Sequence, residues 1–145
     1  MALLSTPGTL LNAVLVVRVG MRRLVIWAFG AQVVASLLTL IMVSLLPYDW
    51  HAVFPIWFIW SVIMLFAVGM ILGNLQALTL LPLGHMAGMG ASVTIALSTV
   101  VAVFIGGPVG LAFNGTPIPL LIATSVLAGA AWLVMWFATQ EEAET

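Results

Sequence analysis

Side chains able to do chemistry are few in this chain, and long apolar stretches separate them. The 145 residues include three arginines, four acidic residues, two histidines, no lysine and no cysteine. Enzymatic acid–base or nucleophilic chemistry needs a carboxylate pair, a histidine cluster or a nucleophile beside a base, and the apolar stretches contain none of these. An apolar stretch also separates His51 from His85, so a shared metal ion is not expected. The sequence therefore predicts no enzyme, no cofactor and no metal site.

The composition is that of an integral membrane protein. Hydrophobic residues make up 64% of the chain and charged residues 5%, and the mean hydropathy is +1.31. A soluble domain carries about 25% charged residues, so lipid is the expected surroundings. Nucleic acid is an unsuitable partner because the only basic cluster consists of Arg18, Arg22 and Arg23, and phosphate-tracking surfaces need more cations.

The apolar stretches have the length of membrane spans, since one crossing takes about 20 helical residues. We expect an all-α integral membrane bundle of four full transmembrane helices plus a short leading helix. The four spans are predicted at residues 24–46, 53–73, 86–112 and 120–138. A partial helix over residues 1–17 precedes them, and a cytoplasmic tail over residues 139–145 follows.

Polar residues and turn formers mark the boundaries of these spans. A charge at the centre of a membrane helix is costly, so Asp49 is placed in a loop. Asn74 and Gln76 are predicted to end the second span. Asn114 and the residues after it supply a turn before the last span. Trp60 is expected near the outer membrane interface or facing lipid.

The arginines orient the bundle, because positive residues beside a span are retained on the cytoplasmic side. The arginine loop is therefore expected inside, the Asp49 loop outside, the His85 turn inside, the Asn114 turn outside and the acidic tail inside. The corresponding location is a plasma membrane, such as the inner membrane of a bacterium. The cluster has two interpretations: a topology signal, or a clamp in which arginines bond the carbonyls at neighbouring helix ends and hold a gate shut.

A ridge of small residues follows one face of the third span. Small side chains recur at every fourth position: Gly90, Thr94, Ser98, Ala102, Gly106 and Gly110. Such a ridge allows close helix packing in lipid, which is one interpretation. The other is a face that slides against a partner helix, with Thr94 and Ser98 facing a cavity and touching a substrate. Gln32, the amide deep within a span, is predicted either to bond a neighbouring helix or to contact a substrate.

Three segments resemble the major facilitator superfamily, specifically its drug-efflux-like transporters of the Bcr/CflA type. Residues 12–23 resemble the loop between the eighth and ninth helices of such transporters. Residues 73–78, GNLQAL, followed by residues 82–92, PLGHMAGMGAS, are similar to the junction of the tenth and eleventh helices. Residues 113–116, FNGT, with Pro117 and Pro119 resemble the last outer turn. Val17 and Leu81 depart from the pattern, since relatives carry acidic residues there.

The resemblance implies the carboxy-terminal part of a secondary transporter, which exports small molecules by alternating access as a proton antiporter. It implies a cytoplasmic gate of Arg18, Gly20, Arg22 and Arg23, with Gly20 permitting the turn. It also implies a helix-junction motif of Asn74, Gln76, Pro82, Gly84, His85 and Gly88. A partner is then expected, either an amino-terminal transporter half or a second copy. The alternative is a small non-transporting membrane protein, or a truncated relic, that assembles with other membrane proteins through helix packing.

Overall fold

The structure, a computed structural model, describes residues 12, 15–46 and 49–141, except the side chains of Trp50 and Glu141. Most of the predicted leading helix and the end of the tail lie outside these residues. Across the described ranges every regular element is helical. The four long helices are α1 (Met21–Leu45), α2 (Trp50–Leu80), α3 (Ala87–Leu111) and α4 (Ile118–Glu141).

Local chemistry explains where the first two of these helices begin. Gly20 has a φ of 88°, which a residue with a Cβ rarely adopts, and it separates the helical residues 15–19 from α1. The Asp49 side chain accepts a hydrogen bond from the backbone N–H of His51 at 3.2 Å. This bond caps α2, because the first N–H groups of a helix have no partner within it.

Helices α1, α2 and α4 form the packed part of the bundle, and α1 contacts both of the others. Near one end, a buried cluster brings together one residue of α1, three of α2 and one of α4: Val43, Val53, Trp60, Met64 and Leu121. Further along the bundle, Ala28 of α1 packs against Ala67 of α2 in a second cluster. A Cβ on Gly30 would lie 3.4 Å from Trp132 Nε1, so this glycine permits a close approach of α4.

Trp60 lies inside this bundle, and the prediction that it faces lipid is wrong. Its side chain is 5% exposed, and its Nε1 donates a hydrogen bond to Ser36 Oγ. An indole N–H needs an acceptor when it leaves water. Ser36 supplies that acceptor from the neighbouring helix, so Trp60 can be buried.

Helix α2 continues past the predicted end of the second span, and Asn74 and Gln76 both lie within it. A 3₁₀ helix at Leu81–Met86 follows, in which Gly84 has φ 44° and ψ −111°. The chain reverses its direction at this turn. As a result, Leu72 of α2 and Val103 of α3 line the same groove. Helices α2 and α3 thus form an open hairpin.

By length and composition, three helical stretches of the described chain suit a membrane crossing: Met21–Leu45, His51–Leu111 and Ile118–Gln140. The middle stretch has 61 residues and would extend about 90 Å as one straight helix. That length is about three times the apolar thickness of a bilayer. The reversal at Gly84 divides it into α2 and α3. No described residue of α3 is buried, so this helix presents large apolar side chains on all sides.

Candidate functional site

The open hairpin of α2 and α3 encloses a groove of about 790 Å³, which we call the hairpin groove. Its walls are mostly aliphatic and glycine residues. Five polar side chains line it: Gln76, Thr79, Thr94, Ser98 and Thr99. Ligand sites are commonly apolar clefts of this size with a few polar groups that orient the ligand.

The hydroxyl groups of the hairpin groove are hydrogen-bond acceptors toward anything bound there. Thr94 Oγ1 donates to the Gly90 carbonyl at 2.8 Å, and Ser98 Oγ donates to the Thr94 carbonyl at 2.7 Å. Thr99 and Thr79 donate to carbonyls of their own helices in the same way. Each hydroxyl has thereby used its single proton and retains lone pairs on oxygen. The groove therefore suits an apolar molecule that carries N–H or O–H groups.

The ridge of small residues on α3 faces open space over much of its length. Ala102 and Gly106 line the hairpin groove with Thr94 and Ser98. A Cβ added at Gly106 or Gly110 would meet no described atom within 4 Å. Gly90 differs, since a Cβ there would collide with Leu83 Cδ1. Within the described chain, close packing on the ridge is thus limited to its first glycine.

Asn74 and Gln76 point in different directions from α2. Asn74 is buried and exchanges side-chain hydrogen bonds with the amide of Asn12. Its Nδ2 also donates to the Met70 carbonyl at 2.8 Å. This amide pair connects α2 to the segment before the arginine loop. Gln76 is exposed and lines the hairpin groove.

The remaining junction residues lie at the turn between α2 and α3. Pro82, Gly84 and His85 belong to the exposed 3₁₀ helix, and Gly88 lies in the first turn of α3. Gly84 is the one of these with a positive φ, so the non-helical backbone of the turn lies at this residue.

A second groove, of about 830 Å³, lies beside the arginine loop and is called the arginine groove. Gly20, Arg22 and Arg23 line it together with Leu78 of α2 and Gln140 of α4. The start of α1 and the ends of α2 and α4 therefore meet on one side of the bundle. Arg18 is exposed and does not line this groove.

Gln32 is half-buried and lines neither groove. It lies one turn before Ser36, on the face of α1 that contains Ala28, Ser36 and Val43.

The two histidines lie far apart. His51 is in the first turn of α2, His85 is in the 3₁₀ helix that follows α2, and both are exposed. Among the described residues, no three His, Cys, Asp or Glu side chains lie close enough to hold a metal ion.

Comparison with known proteins finds no relative of this chain. No protein-family profile, no curated protein and no solved structure matches the chain. The resemblance to major facilitator transporters thus depends on the motifs alone, and transport is a proposal.

Sequence reasoning missed the Asn12–Asn74 and Ser36–Trp60 pairs. The signal for both was present, since a polar side chain within an apolar helix requires a hydrogen-bond partner. The sequence contains several candidates for each partner. Only the packing of the helices selects among them.

Proposed function

We propose that this chain is the carboxy-terminal part of a secondary transporter that exports amphipathic small molecules across a membrane by alternating access. The observation that supports this proposal best is the hairpin groove. It combines an aliphatic wall with hydroxyl acceptors and one amide, Gln76, which suits an apolar substrate bearing hydrogen-bond donors. Transporter sites lie between helices, and the hairpin groove is lined by both α2 and α3.

In this proposal each of the four helices crosses the membrane. The arginine loop, the His85 turn and the acidic tail face the cytoplasm, in accord with the retention of arginines on that side. Arg18, Arg22 and Arg23 close the cytoplasmic end as a gate, with Gly20 at the turn. The family resemblance also adds coupling to protons to the proposal. The described residues of the four spans include no acidic side chain that could carry the proton.

Binding of a fluorescent amphipathic amine to the detergent-solubilised chain tests the groove. A102F places an aromatic ring in the hairpin groove and should weaken dye binding at least tenfold. V126F is the matched control, because Val126 is exposed on α4 and does not line the groove. Equal binding by both variants, or no saturable binding to the native chain, contradicts the proposal. Dye efflux from vesicles then measures transport directly.

One observation favours the alternative, a non-transporting protein that assembles through helix packing. Helix α3 buries no described residue, and its ridge at Gly106 and Gly110 is open. Small ridges of this kind let two helices approach closely. Because the chain has no cysteine, an A102C variant reports such an interface by cross-linking in membranes. V126C is again the control, and cross-linking confined to A102C together with no dye binding supports the alternative.

A further inference from the structure

The polar lining of the hairpin groove consists mainly of hydrogen-bond acceptors. Four hydroxyl groups line it, and each donates its proton to a carbonyl of its own helix over 2.7–2.9 Å: those of Thr79, Thr94, Ser98 and Thr99. Each oxygen retains lone pairs that a ligand can reach. The side-chain amide of Gln76 makes no hydrogen bond to another described residue. Among the described lining residues, Gln76 can therefore donate to a ligand without losing an existing bond.

The hairpin groove offers no compensation for a full charge. Among the described residues that line it, none is acidic or basic. Transfer of an ion from water to a mostly aliphatic site is costly unless an opposite charge accompanies it. A carboxylate would in addition meet hydroxyl oxygens that have already used their protons. An ammonium group would find acceptors without a counter-charge, so an amine would enter the groove as its uncharged base.

Two of the hydroxyl oxygens are spaced for a single NH2 group. Thr94 and Ser98 lie one turn apart on α3, and the Cβ atoms of such residues are about 5–6 Å apart. A nitrogen between them can therefore donate to both oxygens at about 2.9 Å each. Gln76 lies on the opposite wall, about as far from the Gly84 turn as Thr94 is. A carboxamide fits this arrangement, because it donates from its nitrogen toward one wall and accepts at its oxygen from the other.

We propose that the hairpin groove selects uncharged carboxamides, with the NH2 group between Thr94 and Ser98 and the carbonyl oxygen on the side-chain amide of Gln76. The inference rests on the proposed function, because it names the substrate class of the same groove. It also excludes carboxylates and quaternary ammonium ions of the same size.

Four probes with the same naphthalene fluorophore and alkyl linker test this selection. They end in a primary carboxamide, an N,N-dimethylcarboxamide, a carboxylate or a trimethylammonium group. Equilibrium binding to the detergent-solubilised full chain should be roughly tenfold tighter for the primary carboxamide than for each of the others. Partition into detergent would give a different order, since the N,N-dimethyl probe is more apolar than the primary carboxamide.

Removal of single hydroxyl groups tests where the NH2 group binds. T94V and S98A should each weaken binding of the primary carboxamide by roughly fivefold, the effect of one neutral hydrogen bond. The N,N-dimethyl probe donates no hydrogen bond, so its binding should change by less than about twofold and reports that the groove is intact. S92A is the matched control, since Ser92 donates to the Gly88 carbonyl of the same helix but does not line the groove.

A variant of the opposite wall has a different signature. Q76L should weaken the primary carboxamide and the N,N-dimethyl probe by a similar factor, because both retain the carbonyl oxygen. A loss confined to the primary carboxamide would show that Gln76 does not bind the carbonyl and would overturn the assigned orientation.

The substrate class and the transport proposal fail in different ways. Tightest binding by the carboxylate or the trimethylammonium probe would overturn the class, as would equal losses in S92A and S98A. If A102F weakens all four probes and the native chain does not prefer the primary carboxamide, the groove binds by apolar contact alone, and only the class is wrong. The expected order of binding without dye efflux from vesicles would support the class and contradict transport.

Discussion

Trp60 Nε1 donates a hydrogen bond to Ser36 Oγ at 3.1 Å, which joins α2 to α1 where both side chains are buried. This polar contact lies among mostly apolar side chains, with Thr39 as another buried polar residue of α1. Helices in lipid associate through packing and hydrogen bonds, because the hydrophobic effect does not distinguish a helix neighbour from an acyl chain. The pair therefore selects which face of α1 meets α2.

Removal of the acceptor should loosen this helix pair. S36A leaves the indole N–H of Trp60 buried without a partner, and we expect the free energy of unfolding to fall by about 1 kcal/mol. Unfolding in a denaturing detergent measures the change. A double-mutant cycle with W60F should give a coupling of about 0.6 kcal/mol. S61A is the control, since Ser61 Oγ bonds the Trp57 carbonyl of its own helix, and it should change stability by less than about 0.5 kcal/mol.

The Asn12–Asn74 pair predicts a contact between the segment before the arginine loop and α2. Because the chain has no cysteine, N12C/N74C provides two thiols without background. We expect a short bis-thiol reagent to join them in membranes, as seen by mobility in a denaturing gel. N12C/Q76C is the control, since Gln76 lies on another face of α2 and should react little. Equal cross-linking by both pairs would mean that the segment is not held at Asn74.

The long helices could be predicted from the sequence because their signals are local. Apolar length, the charge at Asp49 and the turn formers at Gly20 and near Asn114 act on neighbouring residues only. Helices α1 (Met21–Leu45), α3 (Ala87–Leu111) and α4 (Ile118–Glu141) therefore begin and end within a few residues of the predicted spans.

The facing of side chains could not be predicted in the same way. A helix that is hydrophobic on all sides has no pattern that distinguishes its packed face from its lipid face, so the prediction that Trp60 faces lipid is wrong. Asn74 and Gln76 were expected to end a span because they are polar. Asn74 is instead paired with Asn12, and Gln76 lines the hairpin groove, so α2 continues to Leu80. Both outcomes depend on residues distant in the sequence.

The arrangement of the turns predicts which ends of the bundle face the same compartment. His85 lies on the side of the bundle that contains the arginine groove, and Phe113 lies on the opposite side. Both residues are exposed, so the variants H85C and F113C can report the two sides. In intact cells, a membrane-impermeant maleimide should label F113C and leave H85C unmodified until the membrane is opened. This result follows from the retention of arginines on the cytoplasmic side. Labelling of H85C in intact cells would invert the orientation, and labelling of both would contradict the hairpin across the membrane.

The backbone conformation of Gly84 is expected to set the angle between α2 and α3, and with it the width of the hairpin groove. Its φ of 44° with ψ −111° is accessible to glycine and strained for any residue with a Cβ, by about 1–3 kcal/mol. G84A should relieve this strain by changing the angle between α2 and α3. Spin labels at L72C and V103C, which line opposite walls of the groove, report that angle through their distance distribution.

G88A is the control for this hinge. Gly88 does not have a positive φ, and a Cβ there meets no described atom within 4 Å. Alanine should add helix propensity worth up to about 1 kcal/mol and leave the L72C–V103C distance unchanged. G84A should shift or broaden the distribution, because Gly84, unlike Gly88, has a backbone conformation that alanine cannot adopt without strain. If G84A and G88A give the same distribution as the parent, the reversal is set by packing around the turn, and Gly84 is not its hinge.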